Sequence, residues 1–72
     1  MSPALPVVSG AQVVKALERT GFEVVRQRGS HVKLRKSELT VIVPVHRELA
    51  LGTLRSILRQ SGLSVEDLID FI

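Results

Sequence analysis

One histidine lies inside a run of basic residues near the middle of the chain. His31 follows a Gly-Ser pair, and no acidic residue interrupts the basic run. The cations are Arg26, Arg28, Lys33, Arg35 and Lys36. Histidine, with an ordinary pKa of about 6.5, can give or take a proton near neutral pH. Because Lys and Arg neutralise phosphates, a histidine among cations is a candidate for cleaving a phosphodiester, and RNA carries an internal nucleophile for that reaction.

RNA cleavage needs a base that takes the proton of a ribose 2′-hydroxyl, and cations that stabilise the charge on the attacked phosphate. His31 is the predicted base. The predicted RNA-binding residues are Arg26, Arg28, Gly29, Ser30, Lys33, Arg35 and Lys36. The alternatives are a strand histidine without a chemical task and a charged β face that only prevents edge pairing. We favour catalysis, because so many cations without an acid exceed what edge protection requires.

A second histidine, His46, follows Pro44 in a predicted loop. It could protonate the leaving oxygen, or it could fix the loop by bonding backbone carbonyls. We favour the second interpretation, because a loop position defines no distance to His31. A metal site is less favoured still, since no third ligand is suitably spaced and the chain has no cysteine. We therefore predict no metal and no cofactor.

Composition limits the other possibilities. The 72 residues suffice for one domain, and the two phenylalanines are the only aromatic residues, which argues against a base-stacking platform. Without cysteine there is no disulfide scaffold, so we expect a cytoplasmic protein. No apolar run approaches the roughly 20 residues of a membrane span. The net charge is +3, and three of the seven acids lie in the last seven residues, so the body is basic and suits a nucleic-acid partner.

Local patterns predict the elements. Ser9 and Gln12 have the spacing of a capping box, which predicts a helix over 10–20. Strands are predicted over 22–28, 31–36 and 39–45, with Gly29-Ser30 as a tight turn that needs positive φ at its first position. Alternation places His31 and Lys33 on one face of the second strand. A second helix is predicted over 52–61, and Ser64 caps a short last helix.

These elements predict an α+β fold, an α-β-β-β-α two-layer sandwich with a short extra C-terminal helix. The sheet is a three-stranded antiparallel meander with the helices on one face. Residues 1–8 are expected to form a loose tail, and 9–72 a single domain. The third strand carries apolar residues on both faces, so some apolar surface is expected on the uncovered side, where a partner protein could bind.

Taken together, the chain resembles the HicA family of toxins. The matching motifs are Ser9-Gly10, Val14-Lys15-x-Leu17, Gly21-Phe22, Arg26-Gln27-x-Gly29-Ser30-His31, Val43-Pro44-x-His46, Gly52-Thr53-Leu54-Arg55-x-Ile57-Leu58 and Gly62-Leu63-Ser64. The resemblance implies a fold similar to the double-stranded-RNA-binding domain. It also implies metal-independent cleavage of messenger RNA with His31 as the catalytic histidine, and inhibition by a HicB antitoxin.

We therefore expect an mRNA interferase that is monomeric outside its antitoxin complex. Two other functions stay open: a non-catalytic RNA-binding module of the same fold, and a basic subunit that docks an acidic protein. The antitoxin is expected to cover the basic face, with outward apolar residues of the third strand, either Val41 and Val43 or Ile42, in the core of the contact.

Overall fold

A computed structural model describes residues 4–72, so residues 1–3 of the expected tail lie outside it. The elements are α1 (Gly10–Arg19), β1 (Glu23–Arg28), β2 (His31–Lys36), β3 (Leu39–Pro44), α2 (Leu51–Ser61) and α3 (Val65–Phe71). The predicted α+β class and element order are confirmed.

Two of the three helices begin with reciprocal capping bonds, which the sequence predicts at α1. At α1, the Ser9 hydroxyl accepts from the Gln12 N–H at 3.1 Å, and the Gln12 side chain accepts from the Ser9 N–H at 2.9 Å. Ser64 and Asp67 repeat the arrangement at α3. Helix α2 ends at Gly62, whose φ of 75° only glycine adopts readily.

The strands form one antiparallel sheet in the order β1-β2-β3. Gly29, at the first position of the β1–β2 turn, has the predicted positive φ, 57°. Ser37, in the β2–β3 turn, also has a positive φ, 54°. Each strand is thus joined to the next by a two-residue turn, which keeps the site residues of β1 and β2 close together.

The core lies between the helices and one face of the sheet. The buried side chains are Val13, Ala16 and Leu17 of α1, Leu54 and Ile57 of α2, Leu68 of α3, and Val32, Leu34, Val41 and Val43 of the sheet, with Val8, Phe22 and Leu49 in the segments that precede α1, β1 and α2. The other face of the sheet is left to solvent. In the part of the chain that the structure describes, no helix is long and apolar enough to cross a membrane.

The packed part of the chain includes the end of the segment expected to be a loose tail. Val8 is buried in the core, and its carbonyl accepts the Leu49 N–H at 2.8 Å. Leu5 also packs against the core. Residues that precede Ser9 therefore already pack against the loop before α2.

The start of α1 touches the end of β3 through backbone. The Gly10 N–H donates to the His46 carbonyl at 2.9 Å, and a Cβ on Gly10 would lie 2.7 Å from the Val45 Cα and in collision with the Pro44 carbonyl oxygen. Only glycine fits there without movement of the backbone.

Gly10→Ala should therefore lower the free energy of unfolding by about 2 kcal/mol or more, through steric strain at this contact. Urea denaturation with the matched variant Gly52→Ala tests this. A Cβ on Gly52 meets nothing within 4 Å, so alanine there should be neutral or stabilising by about 0.5–1 kcal/mol. Equal stability of the two variants would contradict the steric argument.

Candidate active site

His31 is the first residue of β2, directly after the β1–β2 turn. The turn is held from two sides: the Val45 N–H donates to the Ser30 carbonyl at 2.6 Å, and the Gln27 side-chain amide donates to the Gly29 carbonyl at 3.2 Å. The His31 side chain is exposed on the outer face of the sheet, as its alternation with buried Val32 predicts. A fixed turn thus presents an accessible imidazole.

A bulge in β1 decides which of its side chains share the face of His31. Val24 pairs with Leu34, whereas Arg26 pairs with Lys33, so the register skips Val25. Because side chains alternate between faces, one extra residue moves all later side chains of the strand to the opposite face. Without the bulge, Arg26 would point to the face of Val32 and Leu34. With it, both Arg26 and Arg28 join the outer face.

The outer face contains a shallow, open pocket of about 200 Å³. It is lined by Arg26, Arg28, His31, Lys33 and Ile42. Across the sheet, Arg28 lies opposite His31, and Arg26 lies opposite Lys33. Three cations and no acid surround the histidine, so the pocket attracts anions. A phosphate held by these cations would lie next to a group able to move a proton.

The predicted RNA-binding residues are not all brought together. Arg26, Arg28 and Lys33 line the pocket, Gly29 and Ser30 form the turn above it, and Arg35 and Lys36 lie outside it. Arg35 is on the outer face but pairs with Glu23 and Thr40, one row beyond Lys33. Its distance along β2 explains why it does not line the pocket.

Lys36 is turned towards the helical layer. Its ammonium donates to the Thr20 carbonyl at 2.6 Å and lies 5.8 Å from the centre of the Phe22 ring. A cation at this carbonyl stabilises the C-terminal end of α1. The cations of the basic run therefore do not all act at one place. Lys36, the last of them, contacts the end of α1 instead of the pocket around His31.

His46 does not line the pocket with His31. Its backbone N–H donates to the Pro44 carbonyl at 2.9 Å, and its backbone carbonyl accepts the Gly10 N–H. Its side chain is exposed. The loop is thus fixed by the backbone of His46 rather than by its ring. Both roles considered for the His46 side chain, in fixing the loop and in proton transfer, therefore stay predictions.

Sequence reasoning did not include Ile42 among the site residues. Ile42 lies directly opposite Lys33, with 38% of its surface exposed, whereas Val41 and Val43 are fully buried. Its N–H donates to the side-chain oxygen of Gln60 on α2 at 3.2 Å. The alternation of β3 was the available signal, because it places Ile42 on the face opposite its two neighbouring valines.

The geometry supports acid–base chemistry on a bound phosphate ester. Within residues 4–72, no group of three or more His, Asp or Glu side chains is placed to hold a metal ion together. The groups present at the pocket are one imidazole, two guanidinium groups and one ammonium. They can position a phosphate, neutralise charge on its oxygens and exchange a proton beside it.

Comparison with known proteins agrees with the motifs. A family model described as "HicA toxin of bacterial toxin-antitoxin" matches residues 10–63, which include every residue that lines the pocket. A search of curated proteins found no match. The match spans most of the 72-residue chain. The chain therefore belongs to the HicA family of bacterial toxin–antitoxin toxins.

Proposed function

We propose that this protein is an endoribonuclease toxin that cleaves messenger RNA through His31. The observation that carries the proposal is the convergence of His31 with Arg26, Arg28 and Lys33 in one open, acid-free pocket. The bulge of β1 supports it, because this irregularity puts both arginines on the histidine's face. Bulges often re-aim side chains next to active sites.

In the proposed reaction, the scissile phosphate binds to the cations of the pocket. His31 takes the proton of the adjacent ribose 2′-hydroxyl, and the 2′ oxygen forms a bond to phosphorus. The bond from phosphorus to the 5′ oxygen breaks, and the leaving oxygen takes up a proton from water. The cations stabilise the transition state because negative charge increases on the phosphoryl oxygens.

Cleavage should continue in excess EDTA, because the base and the phosphate-binding groups of this mechanism are all side chains. The 3′ end of the upstream product should carry a 2′,3′-cyclic phosphate or its hydrolysis product, and the downstream product a 5′-hydroxyl. Mass spectrometry of a short oligoribonucleotide, digested with and without EDTA, measures both results. Dependence on added magnesium, or a 3′-hydroxyl product, would contradict the mechanism.

A toxin of this kind must be kept inactive, and we propose that a HicB-type antitoxin covers the basic outer face. Acidic side chains of the antitoxin would face Arg26, Arg28 and Lys33, which line the pocket together. Of the third-strand residues expected in this contact, Val41 and Val43 are buried, so Ile42 is the one that remains. Ile42 also lines the pocket, so its replacement should affect cleavage as well as antitoxin binding.

A further inference from the structure

The pocket has different chemistry on its two sides. On the β1 side lie Arg26 and Arg28, and on the β3 side lies Ile42, with His31 and Lys33 on the strand between them. Pro44 pairs with His31 on the same strand as Ile42 and adds apolar surface beside the pocket, outside its lining. Across the sheet, the face therefore changes from guanidinium groups, through the histidine and lysine, to aliphatic carbon.

A nucleotide shows the same change from charged to apolar, because its charged phosphate and its flat base lie on opposite sides of the ribose. We propose that Ile42 receives the base of the nucleotide whose 2′-hydroxyl attacks, and so orients the ribose towards His31. This inference rests on the proposed RNA cleavage and adds a positioning residue to it. With the phosphate over the arginines and the base over Ile42, the ribose lies above β2, where His31 is.

The spacing of the sheet is suitable for this arrangement. Residues directly opposite on neighbouring strands have Cβ atoms about 4.5–5.5 Å apart, and diagonal neighbours lie about 7–8 Å apart. Ile42 is directly opposite Lys33 and diagonal to His31. A ribose between the base and the phosphate can therefore reach the imidazole while its base contacts the isoleucine.

The contact with the base would be aliphatic. Phe22 is buried in the core and Phe71 lies on α3, so neither is in the pocket lining. Ile42 keeps 38% of its surface exposed, and a bound base would remove part of this apolar surface from water. An aliphatic side chain forms no hydrogen bonds, so the contact should favour the presence of a base without strongly selecting which base.

Gln60 fixes this side of the pocket. β3 is an edge strand, and the N–H of Ile42 points away from β2 to the side-chain oxygen of Gln60. This bond ties the middle of the edge strand to α2. Gln60 is therefore a second positioning residue, which acts through the backbone of Ile42.

The test uses DNA oligonucleotides that contain a single ribonucleotide, so that only one 2′-hydroxyl can attack. Each is made with one of the four bases, or with an abasic ribose, at that position. Wild-type kcat/KM should be about three- to tenfold higher with any base than with the abasic ribose, as expected for a modest apolar contact. Ile42→Ala should lower kcat/KM on the substrates with a base by about the same factor and leave the abasic substrate unchanged.

Ile42→Val, which removes one carbon and retains strand preference, should show a smaller loss with the same selectivity. Gln60→Ala should also affect mainly the substrates that carry a base. The matched control is Leu39→Ala, an exposed leucine of the same strand outside the pocket, which should not distinguish the substrates. An equal loss on both kinds of substrate, or no loss on either, would overturn the role of Ile42.

The two proposals fail in different ways. If the wild-type protein cleaves natural RNA but treats base-bearing and abasic substrates alike, only the role of Ile42 is wrong. If it cleaves no RNA under any of these conditions, the proposed nuclease function is wrong, and the role of Ile42 is overturned with it.

Discussion

His31→Ala should reduce RNA cleavage by about 10²- to 10⁴-fold, the usual contribution of a positioned acid–base group. In cells, the variant should no longer arrest growth. The fold should persist, because the side chain is exposed on the outer face of the sheet and contributes nothing to the core. Initial rates on a labelled RNA, together with thermal unfolding of the same preparation, measure both effects.

His46→Ala is the matched control, because it removes another exposed histidine that does not line the pocket. Its rate should stay close to that of the wild type. A His31→Ala variant that cleaves at the wild-type rate would contradict the catalytic assignment. A wild-type protein that binds RNA without cleaving it would instead indicate a binding module with the same surface.

Removing the three cations of the pocket should have the second large effect. In the triple variant Arg26→Gln, Arg28→Gln and Lys33→Gln, the slope of log affinity against log salt should become shallower by about 2, since each phosphate contact on a single strand contributes about 0.7. The loss of affinity should therefore be greatest at low salt. Antitoxin association should slow under the same conditions, because opposite charges steer the encounter. Fluorescence anisotropy across a salt series measures the slope.

A second triple variant separates the pocket from total charge. Lys15, Arg55 and Arg59 are exposed on α1 and α2, and their replacement by Gln changes the net charge by the same amount. This variant should keep most of the salt dependence of the wild type. If both triple variants lose affinity equally, RNA binding depends on the total charge and not on the pocket.

Interactions between residues close together in the chain determined where several elements begin and which way their side chains point. The Ser9–Gln12 capping box indicated where α1 begins, and Gly29 with Ser30 indicated the turn before β2. The alternation of β2 placed His31 and Lys33 together on the outer face. Each of these features depends on residues within about four positions of one another, as helix caps, turns and strand alternation do. Such features can be predicted without knowing how the chain folds.

The composition of the pocket was decided only by the tertiary structure. The register of β1 against β2 skips Val25, which brings both arginines to the face of His31, and this register is a property of the strand pair rather than of β1 alone. Lys36 belongs to the same basic run, but its contact with the Thr20 carbonyl holds it at the end of α1. Ile42 lines the pocket because it pairs with Lys33. Its backbone N–H donates to the side chain of Gln60, 18 residues further along the chain. Strand register and packing between layers join residues distant in sequence, so charge patterns could indicate a phosphate-binding face but not its members.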